Sequence, residues 1–381
     1  MLEGTSSLNL FSELDDPRTD KHSKRHQLSD IMLLTILGVI CGADSWVAIE
    51  RFGQSKYEWL KTILELPNGI PSHDTIGGFF SRLCPEQLRN CFLSWVNSVF
   101  DFSGGEIIAI DGKTLRHSFD NAISRPAIHM VNAWACKNKL VLGQFKTSEK
   151  SNEIIAIPEL LKILDLKNNI VTIDAMGCQK NIASQIIEQE GDYVLNLKGN
   201  QPNLHDDVKL FITDFIDGKS NQKTQFDYHE VVDGDHNRIE IRKYWVTEEI
   251  DWLTQKNEWN GLKSIGMVEY ESTDKSSGEI SVEKRFFISS LTADAKKFAN
   301  AIRMHWGIEN GLHWCLDVGF REDDSRVRKD NAPENLSVLR QIALNLLKAE
   351  KTAKVGIKNK RLMAGWDNAY LAKLLNVGLI E

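Results

Sequence analysis

The sequence predicts an α/β fold in which a mixed-sheet core is interrupted by a β-rich insertion and flanked by helical N- and C-terminal regions. Three observations predict it. Ile107-Ile108-Ala109-Ile110 and Ile170-Val171-Thr172-Ile173 are apolar runs rich in β-branched residues, the pattern of strands buried on both faces. Apolar residues at helical spacing fill the chain before residue 100 and after residue 293. Residues 201–292 turn instead to apolar–polar alternation with turn signals.

Taken in order, residues 1–25 are polar and read as an arm. From Gln27 to Arg51, Leu28, Ile31, Leu34, Ile36 and Leu37 recur at roughly helical spacing, and Gly42 marks a break. Tyr57 to Leu64 reads as a short helix. Ser72 or Asp74 can N-cap a helix carrying Ile76, Phe79, Phe80 and Leu83, and Pro85 opens another, Glu86 to Phe100. A helix-turn-helix within this region is one way to pack it. Three strands follow as an expected antiparallel meander: 107–111, Ile128 to Ala135 and Leu140 to Lys146. Then come a helix from Asn152 to Leu164 bent at Pro158, strand 170–174, helix 179–189 and strand Tyr193 to Leu197. That succession is the order of a ribonuclease-H-like core. The insertion carries strand-like runs at Ile239 to Val246, Ser264 to Glu271 and Arg285 to Ser290, with Asp233-Gly234-Asp235 as a turn. Long helices return near Ala293 and from Pro333 to Lys348, and the tail 351–381 is basic, then apolar and helical.

A chain of 381 residues with 42% hydrophobic content can bury a large core and form two or three domains. Its six cysteines are scattered without a C-x-x-C pair, which reads as reduced thiols of a cytoplasmic protein and argues against a disulfide framework. No signal peptide opens the sequence, and the most apolar run, Ile31 to Cys41, is too short to span a bilayer. The net charge of −7 argues at first against a nucleic-acid partner. Its distribution reverses the argument: residues 205–294 hold 19 acidic and 11 basic residues, so the remainder is at +1. Two basic runs, Arg18 to Arg25 and Lys351 to Arg361, lie in that remainder and are candidate phosphate contacts, or simply solvated faces.

Both buried-type runs end in a lone aspartate, Asp111 and Asp174. An unpaired carboxylate at such depth is costly, so each must meet a cation, a metal ion or the sheet rim. Downstream, His305, Glu309 and His313 stand four residues apart and share one helical face. Asp111, Asp174 and Glu309 converging there would hold one or two hard divalent cations, Mg²⁺ or Mn²⁺. Two such ions activate a nucleophilic oxygen and stabilise the leaving oxygen of an in-line phosphoryl transfer. His305, Glu309 and His313 could instead form a zinc triad, although the H-E-x-x-H spacing is missing. Glu322, Asp323 and Asp324 form a second acidic cluster that could supply the third ligand or pair with Arg321, Arg326 and Arg328.

At these residues the sequence resembles a family, the bacterial insertion-sequence transposases of the DDE type, in the H-repeat-associated branch. The resemblance runs from Leu14-Asp15-Asp16-Pro17-Arg18 to the C-terminal helices. It is carried by Ile110-Asp111-Gly112-Lys113-Thr114-Leu115-Arg116, Thr172-Ile173-Asp174-Ala175-Met176-Gly177-Cys178-Gln179, Tyr193 to Gln201, and His305-Trp306-Gly307-Ile308-Glu309-Asn310 with Leu312-His313-Trp314 and Leu316-Asp317-Val318. It implies a metal-dependent DNA transferase with Asp111, Asp174 and Glu309 as its acids, acting on element-end and target DNA as a homodimer. It also implies helical DNA binding by residues 1–103, a catalytic core of 104–200 and 293–350, insertion 201–292 and tail 351–381. Related groups carry a tyrosine, an arginine and a lysine where this chain has Ile302, His305 and Leu316, and Arg303 stands near the missing arginine.

Lys113, Arg116, Lys198, Asn200, Arg303, His305, Arg326 and Arg328 are the expected DNA contacts, Lys113 and Arg116 alternatively neutralising Asp111. Trp306 and Trp314 read as core residues, with stacking on a flipped base as the other use. A stand-alone nuclease and a catalytically silent DNA-binding remnant are the alternative functions.

Overall fold

A computed structural model describes residues 11, 13–18, 24–99, 104–119, 126–147, 153–219, 224–234 and 237–376. The helical first part comprises α1 (Leu28–Ile40), α2 (Trp46–Ser55), the short α3 (Tyr57–Leu60), α4 (His73–Arg82) and α5 (Pro85–Val99). Ser72 is the cap of α4, its hydroxyl accepting the Thr75 N–H at 3.3 Å. α1 is buried from Asp30 to Ile40 and packs on α10 (Ala332–Ala349). The segment expected to be a free arm is anchored where it is described: Phe11 and Leu14 enter the core, and buried Arg18 pairs with Asp16 at 2.8 Å.

The meander forms as expected, as β1 (Ile107–Thr114), β2 (His129–Ala135) and β3 (Leu140–Lys146). α6 (Glu153–Lys162) contains Pro158. β4 (Ile170–Ile173), α7 (Lys180–Glu188) and β5 (Asp192–Leu197) complete the core, with β4 parallel to β1 and β5 parallel to β4. The strand order β3-β2-β1-β4-β5 is ribonuclease-H-like.

The β-rich insertion follows β5, as expected, and joins the core edge to edge. Its strands β6 (Asp227–Asp233), β7 (Arg238–Thr247), β8 (Ser264–Asp274) and β9 (Ile280–Ser289) continue the same sheet, because β9 pairs antiparallel with β5. Among the described residues the result is one sheet of nine strands. α8 (Pro202–Ile216), which the sequence reading left out, buries Leu204, Val208 and Ile212. β6 was also missed: it is an edge strand with mostly exposed residues, so no apolar alternation marks it.

α9 (Ala295–His305) crosses β1, β4 and β5, and α6 lies against β2 and β3. α11 (Ile357–Trp366) and α12 (Asn368–Asn376) close the C-terminal end. The basic tail run is partly internal. Lys360 is buried, donating to the Leu347 carbonyl at 2.8 Å, and buried Arg361 donates to the Val39 carbonyl and to Asp44. These two cations therefore satisfy helix ends and leave Lys351, Lys354 and Lys358 outside.

Candidate active site

Strand register brings the first two acids together. β1 and β4 run parallel with Ile107 to Ile110 opposite Ile170 to Ile173, so Asp111 and Asp174 come next on neighbouring strands. There β4 ends, while β1 continues three residues further along β2 than the sequence suggested. Asp174 caps a 3-10 turn, Ala175–Gly177, and accepts the Met176 N–H at 3.0 Å. Asn200 braces that turn by donating to the Ala175 carbonyl at 2.6 Å, and Gln201 donates to the Cys178 carbonyl at 3.0 Å. Asp111 accepts the N–H of Gly112 at 2.9 Å.

The third acid comes from beyond α9, where the helix widens into two π-turns, Glu309–His313 and Cys315–Gly319. Such turns, rare inside α-helices, are frequent at functional sites. Gly311 lets the segment approach the sheet, since a Cβ there would stand 2.6 Å from the Trp134 ring. The Nδ1 atom of His313 lies 3.5 Å from an Asp111 oxygen and 3.7 Å from a Glu309 oxygen. One donor atom each from Asp111, Glu309 and His313 falls within 4.8 Å of the other two. Asp111, Asp174 and Glu309 all line one cleft of about 210 Å³, together with Lys198, Arg285, His305 and Trp306.

Burial pushes the Asp111 carboxyl up to about 8, with repulsion from Glu309, Asp174 and Glu153 adding to it. Burial and Glu153 also raise Asp174, against the Met176 and Gly177 N–H groups and the charge of Lys198. The two rings are driven the other way. Burial lowers His313 and takes His305 down to about 4, so both are neutral at neutral pH.

The other expected contacts divide. Lys198 is exposed in the cleft, and Arg116, Arg303 and Arg326 are exposed on the surface. Arg116 pairs with Asp323 at 3.1 Å and Arg303 with Asp233 at 3.3 Å. Arg328 donates to the His117 carbonyl and stacks on Phe119, and with Arg326 it lines a groove against the starts of α2 and α4. Lys113 departs from the expected phosphate clamp. It is 8% exposed and donates to Asp317 and Glu322, the latter at 2.8 Å, so its charge is spent inside. Asn200 spends its amide on the Asp174 turn. His305 shares a hydrogen bond with the Thr172 hydroxyl at 3.0 Å, and among the described residues the possible metal ligands that gather within 4.8 Å are Asp111, Glu309 and His313, not the His305–Glu309–His313 triad.

The second acidic cluster is made of ion pairs: Glu322 with Lys113 and Arg340, Asp323 with Arg116, and Asp324 with Arg321. Trp306 and Trp314 are not core residues. They are 49% and 59% exposed, and Arg285 stacks on Trp306 with 4.8 Å to the ring centre.

Sequence reasoning missed Glu153 and His129. They are joined at 2.8 Å, and His129 is also bonded to the Thr114 hydroxyl at 2.9 Å. Their signal was Gly112, a glycine inside a strand, where a Cβ would stand 2.0 Å from the Glu153 carboxylate.

Comparison with known proteins agrees with this architecture. Residues 102–346 match the family model described as "Transposase DDE domain", and residues 8–96 match "DDE_Tnp_1-associated". The class is that of nuclease- and transposase-type enzymes, for which the domain implies divalent-metal use. The chain is 44% identical over 376 residues to "Putative transposase YncI" of Escherichia coli O157:H7, covering 97% of this chain and 94% of that one. It is also 44% identical over 355 residues to "H repeat-associated putative transposase YhhI" of Escherichia coli strain K12, covering 92% of each. The chain belongs to the DDE family of insertion-sequence transposases. Among solved structures, a piggyBac transposase synaptic complex with hairpin DNA aligns with TM-score 0.42 at 11% identity, over 99% of this chain and 76% of that one, a likeness too low to bear on the fold. Among the described residues, no helix is long and apolar enough to cross a membrane.

Proposed function

We propose that this chain binds the ends of its element, cleaves a phosphodiester there and joins the freed strand to target DNA, with Asp111, Asp174 and Glu309 holding Mg²⁺ or Mn²⁺. The observation that carries the reading is the single cleft lined by three acids from separate elements. The donor chemistry fits a divalent cation: Asp111, Glu309 and His313 each offer a ligand atom within 4.8 Å of the others, and burial, with repulsion from Glu309 and Asp174 added, pushes Asp111 up to about 8. When bound, the cation would neutralise phosphate charge and acidify the attacking oxygen.

The chain's own residues do the rest. Asp111 and Asp174 fix two carboxylates on rigid neighbouring strands, and Glu309 completes the set from the π-turn. Lys198 and Arg285 place positive charge in the same cleft, where a strand's phosphates would lie. Arg116, Arg303, Arg326 and Arg328 extend basic contacts outward. In the first step water attacks the phosphodiester and a 3′-hydroxyl leaves. In the second, that hydroxyl attacks a target phosphodiester at the same site, forming the joined strand while the target's own 3′-oxygen leaves as a hydroxyl. Two element ends imply a homodimer during the reaction.

The test is an element-end duplex incubated with the protein and Mn²⁺, scored separately for nicked and joined strands. Nicking retained by a D111N/D174N/E309Q variant would sink the proposal. Nicking without joined products would make the chain a nuclease.

A further inference from the structure

The Asp111–Glu309 pair has a neighbour that a three-acid centre does not use. His313 is 6% exposed, and its Nδ1 stands 3.5 Å from Asp111 and 3.7 Å from Glu309. Those separations are at or beyond the reach of a good hydrogen bond. They are close to what two ligands of one ion show, since donors about 2.0–2.2 Å from a metal stand roughly 2.8–3.6 Å apart. The other ring nitrogen, Nε2, is buried without a hydrogen-bond partner among the described residues, so Nδ1 is the nitrogen that faces the acids. An imidazole nitrogen set between two carboxylates, too far from either for a good hydrogen bond, is poorly served by protein groups alone.

Local structure holds the ring there. Asp111 and Lys113 project from the same face of β1, and His313 and Asp317 stand four residues apart on the facing segment. Lys113 donates to Asp317 while His313 meets Asp111, so strand and π-turns are registered at two points. His305 has no such placement, because the ligand atoms that gather within 4.8 Å of one another are those of Asp111, Glu309 and His313.

We infer that His313 supplies a nitrogen ligand to a divalent cation held by Asp111 and Glu309, giving a site that favours Mn²⁺ or Co²⁺ over Mg²⁺. The inference rests on the reading of Asp111 and Glu309 as metal-holding residues. Carboxylate and water suit Mg²⁺, whereas an imidazole nitrogen adds affinity for the later, softer ions.

The experiment uses the full chain without DNA. Mn²⁺, Co²⁺ and Mg²⁺ are titrated calorimetrically into wild type, His313→Asn and Asp111→Asn, and Mn²⁺-loaded wild type is examined by pulsed EPR. Expected are nitrogen couplings from a histidine in the wild type, and about 10–100-fold weaker Mn²⁺ and Co²⁺ binding in His313→Asn, with Mg²⁺ affinity changed far less. The EPR measurement stands even if a variant misfolds. Absence of nitrogen coupling in metal-loaded wild type, with binding abolished by Asp111→Asn, overturns the role of His313 and leaves the acid site intact. Binding unaffected by Asp111→Asn overturns both.

Discussion

Two charge clusters sit two residues apart along β1 and have opposite character. Around Asp111, carboxylates face carboxylates and neutral rings, and its pKa rises to about 8. Around Lys113, every charge has a buried partner. Glu322 receives Lys113 at 2.8 Å and the Ser337 hydroxyl at 3.3 Å, and Arg340 lies 3.7 Å away. Burial alone would raise Glu322, but Lys113 and Arg340 hold it below the usual carboxylate range. Beyond it, Gln341 of α10 bonds Asn132 and Gln144 of the sheet. An acidic cluster balanced inside the protein is structural. One left unbalanced at a cleft is what a cationic ligand would complete.

The largest effects should separate these clusters. Asp111→Asn, Asp174→Asn or Glu309→Gln should each lower strand cleavage by about 10³-fold or more while leaving the fold intact, as circular dichroism would confirm. Lys113→Met should do the reverse in kind. It leaves buried Glu322 with only the more distant Arg340 as a cation and should cost about 3–5 kcal/mol in urea unfolding, whatever it does to activity. A stable Lys113→Met protein that fails to bind DNA would break the comparison and revive the phosphate-clamp role.

Next in size is Gly112→Ala, which forces the Glu153–His129 pair aside and should destabilise by about 1–3 kcal/mol. A normal unfolding midpoint would show that the pair moves freely.

Acidity sharpens the contrast further. The folded-state pKa of Asp111 lies above its unfolded value, so the metal-free protein binds more protons folded than unfolded between about pH 4 and 8. This group's contribution to stability therefore falls as pH rises through that window. Glu322 has the opposite sign: its stabilisation is present above the unfolded carboxylate pKa and is lost as pH falls through its depressed value. Added Mn²⁺ should raise Tm more at pH 8 than at pH 6, and a gain independent of pH would remove Asp111 from the metal site.

The smallest effect should be Asn200→Ala. Removing the brace on the Asp174 turn should cost about 1 kcal/mol, seen as a severalfold slower cleavage.

Much of this was legible in the sequence. Short apolar runs rich in β-branched residues favour strands buried on both faces, so β1 and β4 and the aspartates that follow them were readable, as were the α4 cap and the order of the core elements. β6 was not, because an exposed edge strand carries no burial pattern. Nor was the exposure of Trp306 and Trp314, because an indole in a helical pattern reads as core until its neighbours are known. The family resemblance and the choice of Asp111, Asp174 and Glu309 as candidate acids rest on local spacing and motif, which belong to the chain itself. Which cation meets which acid was decided only by packing. Lys113 lies two residues from Asp111 yet is claimed by Asp317 and Glu322, 204 and 209 residues away in sequence, and His313 and Glu153 reach the same site from separate helices. Electrostatic partnership depends on distance and burial in space, and neither is written in the order of residues.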